Sequence, residues 1–216
     1  MTTLSSRPRQ RRGGRPTLEE AARLDLAVRE SALALFLEHG YDATSMAAIA
    51  RAADTTKASL YARFASKEAV FTSVLEWATA RPDWPVSEPE TPDLDDLEGA
   101  LTKIADAAIR RALDPSMVKL SRIATAQIQR FPDLARRTLS ALLWPRYQMV
   151  ADLLRRHHEA GDIVAAEPEV LAEHFLAMVS VAPARLASYG IVRDPETQTH
   201  HTRVAVGLFV RALQRP

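Results

Sequence analysis

"TTKASLYARF", residues 55–64, decides how the rest of the chain is read. Only Leu60 and Phe64 in this stretch are large and apolar enough to anchor it to a core. Four residues apart, they share one face of a helix. The remaining positions offer Lys57, Ala58, Ser59, Tyr61, Ala62 and Arg63, which are small, hydroxylic or cationic and include no acid. The spacing predicts a short helix, capped by Thr56, that is held down at two points and turns an acid-free face outward.

The flanking segments continue the pattern. Upstream, Thr44 is placed to cap a helix whose Met46, Ile49, Ala50 and Ala53 turn inward, and Asp54 breaks it. Before that, Leu24, Val28, Ala32, Leu35 and Phe36 form a helical stripe that Gly40 stops. Downstream, Ser66 can cap a helix carrying Val70, Phe71, Val74 and Leu75. Two short helices across a tight break, the second polar on its outer face, make a helix-turn-helix pattern. β-branched alternation never persists, so the fold class is all-α.

A surface that accepts such a helix is the DNA major groove, which takes one helix with small or hydrogen-bonding side chains. Lys57 can reach guanine acceptors or a phosphate, Ala58 and Ala62 can lie against a thymine methyl, and Ser59 can bond to a base edge or the backbone. Tyr61, Arg63 and Lys67 would grip phosphates, Lys67 at a helix N-terminus. The competing reading is a solvated amphipathic helix in a helical protein that binds no DNA.

With 216 residues, 47% hydrophobic and 25% charged, the chain suits one or two globular domains. Its formal charge of +1 requires any basic site to be local. There is no cysteine, which excludes disulfides and thiolate metal sites and permits a reducing compartment. No uninterrupted apolar run reaches the roughly 18 residues of a membrane span, so a cytoplasmic location without a membrane partner is expected. Arg7, Arg9, Arg11, Arg12 and Arg15 stand among Pro8, Gly13, Gly14 and Pro16 with no acid before residue 19. This composition reads as a flexible basic arm, with a merely solubilising tail as the alternative. No GxSxG, Walker or HExxH motif is present, so an enzyme is not expected.

"GRPT" at 14–17, "ALFLEHGYDATSMAAIARAA" from 34 and "TTKASLYARFASKEAVF" from 55 together resemble the N-terminal domain of TetR/AcrR-family transcriptional regulators. The resemblance implies a homodimeric repressor of a palindromic operator, with a helical ligand-binding domain after the DNA reader and release by a small molecule. Carried over, the DNA contacts fall on Ser45, Lys57, Ala58, Ser59, Tyr61, Arg63 and Lys67. Thr44 and the arm's Arg11, Arg12 and Arg15 are added as candidates. One departure stands out: the family usually has glycine where this chain has Asp54, at a turn that needs a left-handed backbone.

The expected organisation is an arm over 1–16, a helix-turn-helix domain over 17–65, a linking helix over 66–81 and a ligand-binding and dimerisation domain over 82–216. About nine helices are expected in all. "ARPDWPVSEPETPD", residues 80–93, marks a linker. After it the apolar period predicts helices from Leu94, around Met117–Ile128, up to Gly161 and from Leu171, where Pro183 should introduce a kink. A last helix runs from about Thr197 to Leu213.

Val204 to Val210 is apolar or small on every side, so that helix must be covered twice. Its place in the chain and the resemblance favour a homodimer interface through Val204, Leu208 and Phe209 over burial within one domain. Met117, Leu120, Ile123, Trp144, Tyr147, Phe175 and Met178, with Leu101 and Ile104, could line a cavity for an apolar or amphipathic effector, with Gln127 and His174 as polar handles. Each is equally suited to plain core. His157-His158 and His200-His201 are read as surface residues, because adjacent side chains on a helix point apart. No metal or cofactor is expected.

Overall fold

The computed structural model describes residues 18–80 and 93–214, with the backbone alone for 79–80 and 133–144. The arm, with Arg11, Arg12 and Arg15, and most of the proline-rich linker lie outside the described residues, as does the side chain of Trp144. The described residues contain no strand and fold as α1 (Leu18–Ala43), α2 (Met46–Ala52), α3 (Lys57–Arg63), α4 (Lys67–Ala80), α5 (Leu97–Leu113), α6 (Pro115–Gln127), α7 (Pro132–Ala160), α8 (Pro168–Leu176), α9 (Ala182–Ser188) and α10 (Pro195–Leu213). A π-helical segment, Ala177–Val181, joins α8 to α9 without a break, so the described elements form nine rods.

That π segment is where Pro183 acts. A proline inside a helix lacks an N–H and crowds the carbonyl four residues earlier, and the chain answers by widening the preceding turn rather than by ending the helix. The resulting rod, Pro168–Ser188, is long and apolar enough by length and composition to cross a membrane, with a mean hydropathy of 1.3. Here one side of it packs on α5, α7 and α10.

Two apolar clusters organise the chain. In the first, Val28, Ala32 and Phe36 of α1 meet Ile49 of α2, Leu60 of α3, and Val70, Phe71, Val74 and Ala78 of α4. Phe36 and Phe71 pack edge to face with ring centroids 4.9 Å apart. Leu120 and Ala124 of α6 also belong to this cluster, so the fourth and sixth helices both bear on the N-terminal head. The second cluster joins Leu101, Ile104 and Ala108 of α5, Val150 and Leu154 of α7, Phe175 of α8, and Val206, Phe209 and Leu213 of α10.

Capping residues set the boundaries. Asp96, Asp114 and Asp194 accept hydrogen bonds from the first N–H groups of α5, α6 and α10. Helix α5 therefore starts at Leu97 rather than at Leu94. Helix α7 closes on Gly161, left-handed at φ 87°. The histidine expectation is corrected at one position. His157 is only 6% exposed, with Nδ1 2.9 Å from Asp162 Oδ2 and Nε2 3.0 Å from the Leu94 carbonyl. It ties the end of α7 to the approach to α5, a long-range contact that helical spacing does not reveal.

Candidate nucleic-acid interface

The outward helix of the head is positioned from both ends. Ser45, in extended conformation, caps α2 by accepting from the Ala48 N–H at 3.1 Å. Thr56 caps α3 by accepting from the Ser59 N–H at 3.0 Å. Between them, Asp54 is the one described non-glycine residue at positive φ, 49°. Aspartate accepts that conformation better than most residues, at a strain of about 1–2 kcal/mol. The Thr55 N–H still closes onto the Ala50 carbonyl at 2.9 Å, so the turn forms without glycine.

Leu60 is fully buried, which fixes the azimuth of α3. Lys57, Ala58, Tyr61 and Ala62 are exposed and Ser59 is half-buried. Tyr61 leaves 52% of its surface to solvent, so its hydroxyl is free to meet a partner outside the chain. Arg51, in the last turn of α2, is exposed beside them. With Lys57 it bounds a shallow depression of about 450 Å³ between the two helices. Arg51 escaped the sequence reading, although Met46, Ile49, Ala50 and Ala53 facing inward leave it on the outer side of α2.

Three expected DNA contacts hold the head together instead. Thr44 is 2% exposed, and its hydroxyl donates to the Gly40 carbonyl at 2.8 Å; Ser45, not Thr44, is the cap. Arg63 is an internal strap. Its guanidinium donates to the Ala21 carbonyl at 3.2 Å and pairs with the Asp25 carboxylate, fastening α3 to α1. Lys67 donates to the carbonyls of Tyr41 at 2.7 Å, Thr44 at 2.9 Å and Asp42 at 3.3 Å. It also stands 4.3 Å from the centre of the Tyr41 ring.

The cause lies at Gly40, whose φ of 80° and ψ of 175° break the helical path within α1. The carbonyls just beyond it need donors, and one ammonium supplies three. Burial of Lys67 lowers its pKa, with the nearby Asp42 opposing the shift. The same setting raises the pKa of Tyr41, first through burial.

The effector-lining set is divided. Leu120, with Ile123 packed beside it, belongs to the head cluster, and Met117 is buried on the same helix. Leu101, Ile104 and Phe175 belong to the second cluster, with Tyr147 packed against it. His174 and Met178 are corrected: both are exposed, Met178 at 43%. Gln127 is 7% exposed, beside the buried Leu120 and Ala124 on α6.

The last helix is divided as well. Val204 and Leu208 are 44% and 54% exposed, whereas Phe209 is 6% exposed. The Phe209 ring stacks at a tilt on Phe175, centroids 5.0 Å apart, so its expected place at an interface is corrected to the chain's own core. Val204 and Leu208 instead line a groove of about 280 Å³ with Met178, Ala182 and Pro183.

Comparison with known proteins agrees with this geometry. The family model for bacterial regulatory proteins of the tetR family matches residues 28–74. The model for the C-terminal domain of AefR-like transcriptional repressors matches residues 99–215. Among solved structures, the Flavonoid-responsive Regulator FrrA is 30% identical with a TM-score of 0.75, over 89% of this chain and 98% of that one. A TetR family transcriptional regulator from Pseudomonas syringae pv. tomato is 22% identical with a TM-score of 0.65, over 88% and 97%. A TetR transcriptional regulator from Agrobacterium tumefaciens is 19% identical with a TM-score of 0.72, over 89% and 94%. No curated protein matches the chain.

Proposed function

Because this chain belongs to the TetR family of bacterial transcriptional regulators, we propose that it represses transcription as a homodimer on a palindromic operator and lets go when an apolar or amphipathic small molecule binds. It is a DNA-binding transcriptional regulator. The observation that carries the finer reading is the outward arc of α3, exposed, acid-free and anchored by the buried Leu60.

In this reading Ser45, Lys57, Ala58, Ser59 and Tyr61 meet the DNA, Arg51 joins them, and the arm's Arg11, Arg12 and Arg15 reach adjacent phosphates or a minor groove. Arg63 and Lys67 act by holding α3 and the end of α1. The chain divides at the proposed limits, with α4 as the link between the head and the domain over 82–216, and works in the cytoplasm. The groove of Met178, Val204 and Leu208 receives a second copy, since a two-fold contact needs a self-complementary apolar face. The effector meets Met117, Leu120 and the side-chain amide of Gln127. FrrA responds to flavonoids, and a ligand of that type, apolar rings bearing hydroxyl and carbonyl groups, suits the apolar side chains of α6 and can hydrogen-bond to the Gln127 amide.

Two outcomes test the DNA reading. On duplexes selected by the protein itself, log Kd should depend steeply on log salt, and deleting residues 1–13, which takes four arginines from each subunit of the dimer, should flatten that slope by up to about seven, at roughly 0.9 per lost phosphate contact. A flat slope in the intact protein would favour a helical ligand-binding protein that does not grip DNA. An unchanged slope after deletion would reduce the arm to a solubilising tail.

Lys57→Ala should relax the preference at one base position, at about 1–3 kcal/mol there, while the other positions keep theirs. A uniform loss across every position of the operator would place Lys57 on a phosphate instead.

A further inference from the structure

Arg122 stands on the face of α6 turned away from the head. On the other face, Leu120 and Ala124 are buried with α1 and α4, and Ile123 packs against them. The guanidinium of Arg122 reaches the C-terminal end of α9, where Nε donates to the Ser188 carbonyl at 2.7 Å and Nη2 to the Ala187 carbonyl at 2.9 Å.

The chain closes the rest of that helix end by itself. Gly190, at φ 83°, lets its N–H reach the Ala187 carbonyl at 2.9 Å and the Ile191 N–H reach the Leu186 carbonyl at 3.0 Å, a Schellman closure. That pattern leaves the Ser188 carbonyl over, and Arg122 takes it. A cation is favoured at a helix C-terminus, and a planar guanidinium fixes direction as well as distance, which an ammonium does not.

Helix α9 supplies Ala182 and Pro183 to the groove beside α10. Helix α6 is therefore embedded in the DNA-reading head on one side and clamped to a groove-lining helix on the other. Two other polar ties between the head and the following helices, among the described residues, take different routes. Arg111 Nη2 donates to the Ala78 carbonyl of α4 at 3.1 Å, and Arg130 pairs with Asp42 at 3.4 Å. Neither reaches α9.

We infer that Arg122 sets the distance between each head and the two-fold axis, and so determines which half-site spacing the dimer accepts without touching DNA. The inference rests on the dimeric, DNA-binding reading above. Two copies of α3 enter major grooves about one helical turn of DNA apart, some 34 Å, so a small slide of α6 displaces both heads. Without the guanidinium fork, no other described hydrogen bond ties α6 to α9; α6 keeps its one-residue junction with α5 through Asp114 and its apolar contacts, which have no direction, and the heads sample a range of separations. Each head's own grip on a half-site is unaffected.

The test uses a duplex selected by the wild-type protein from random sequence, versions with its centre longer or shorter by one base pair, and a single half-site. Affinities of wild type, Arg122→Ala and Arg122→Lys are measured on each, with mass from sedimentation. Wild type should prefer its selected spacing by at least about tenfold. Arg122→Ala should stay dimeric, lose about tenfold on the selected duplex, keep its half-site affinity and show a flattened spacing preference. Arg122→Lys should fall between them, and it carries the test under the same criteria if Arg122→Ala does not fold. A wild-type spacing preference in both variants would overturn the inference, and so would an equal loss on half-site and full site. A wild-type protein that selects no duplex would sink the underlying reading and this inference with it.

Discussion

Leu208→Glu is expected to leave a folded, soluble monomer, whereas the same change at its neighbour, Phe209→Glu, is expected to leave no folded protein. The two side chains are adjacent in sequence, about 100° apart around α10, and meet different surroundings. Leu208 is 54% exposed in the groove, and Phe209 is 6% exposed against Phe175. Replacing the phenyl ring forfeits about 3–5 kcal/mol of packing. Leaving a carboxylate unpaired in the same place adds a desolvation cost of several kcal/mol. Together these approach the whole stability of a typical domain, about 5–15 kcal/mol. At position 208 the carboxylate is hydrated in the single chain and is buried only when a second copy arrives, so the penalty falls on association. Losing the partner removes the gain from binding two half-sites at once, about a hundredfold or more in operator affinity. Sedimentation, far-ultraviolet circular dichroism and operator titration separate the cases. A dimeric Leu208→Glu protein with wild-type operator affinity would rule out the groove as the place where two copies meet.

The contrast between these two residues also marks what the sequence could tell. Period alone located the helices of the head, because Val28, Ala32 and Phe36 repeat on one face, and Thr56 and Ser66 announce the starts of their helices through local chemistry. Where a segment is apolar on every side, as from Val204 to Val210, period holds no information about which side meets the chain's own core. Helix α6 poses a related difficulty. Met117, Leu120 and Ala124 mark its buried face, but nothing local reveals that Leu120 and Ala124 complete the core of the head rather than that of the following domain.

Long polar side chains were the least legible. Arg63 and Lys67 sit beside α3 and are cationic, which is what a phosphate contact looks like in sequence. Their partners, Asp25 and the carbonyls of residues 41, 42 and 44, are more than twenty residues away. The one available signal was Gly40, since a helix broken at a glycine leaves carbonyls that some donor must satisfy.

With Lys67 tied to the end of α1 and Tyr61 free on α3, substitutions at the two positions should weaken DNA binding in different ways. Tyr61→Ala should leave stability within about 0.5 kcal/mol of wild type, as expected for an exposed side chain away from caps and core. It should lower affinity for every DNA sequence alike, by about five- to tenfold, the worth of one hydrogen bond to a phosphate. Lys67→Ala removes donors from three carbonyls and the cation from the face of Tyr41. Hydrogen bonds to a charged group contribute about 1.5–3 kcal/mol; water can replace part of three such bonds at a half-exposed site, so a net loss of about 3 kcal/mol is expected. For a chain of this size that lowers Tm by roughly 6–12 °C. DNA binding by Lys67→Ala should then fail as the head melts and recover on cooling, with the sequence preference intact, whereas the defect of Tyr61→Ala should persist at every temperature at which the protein is folded. Thermal scans beside operator titrations at two temperatures distinguish them. An unchanged Tm for Lys67→Ala, with affinity lost at all temperatures, would return Lys67 to the phosphate backbone and leave the end of α1 to be closed by other groups.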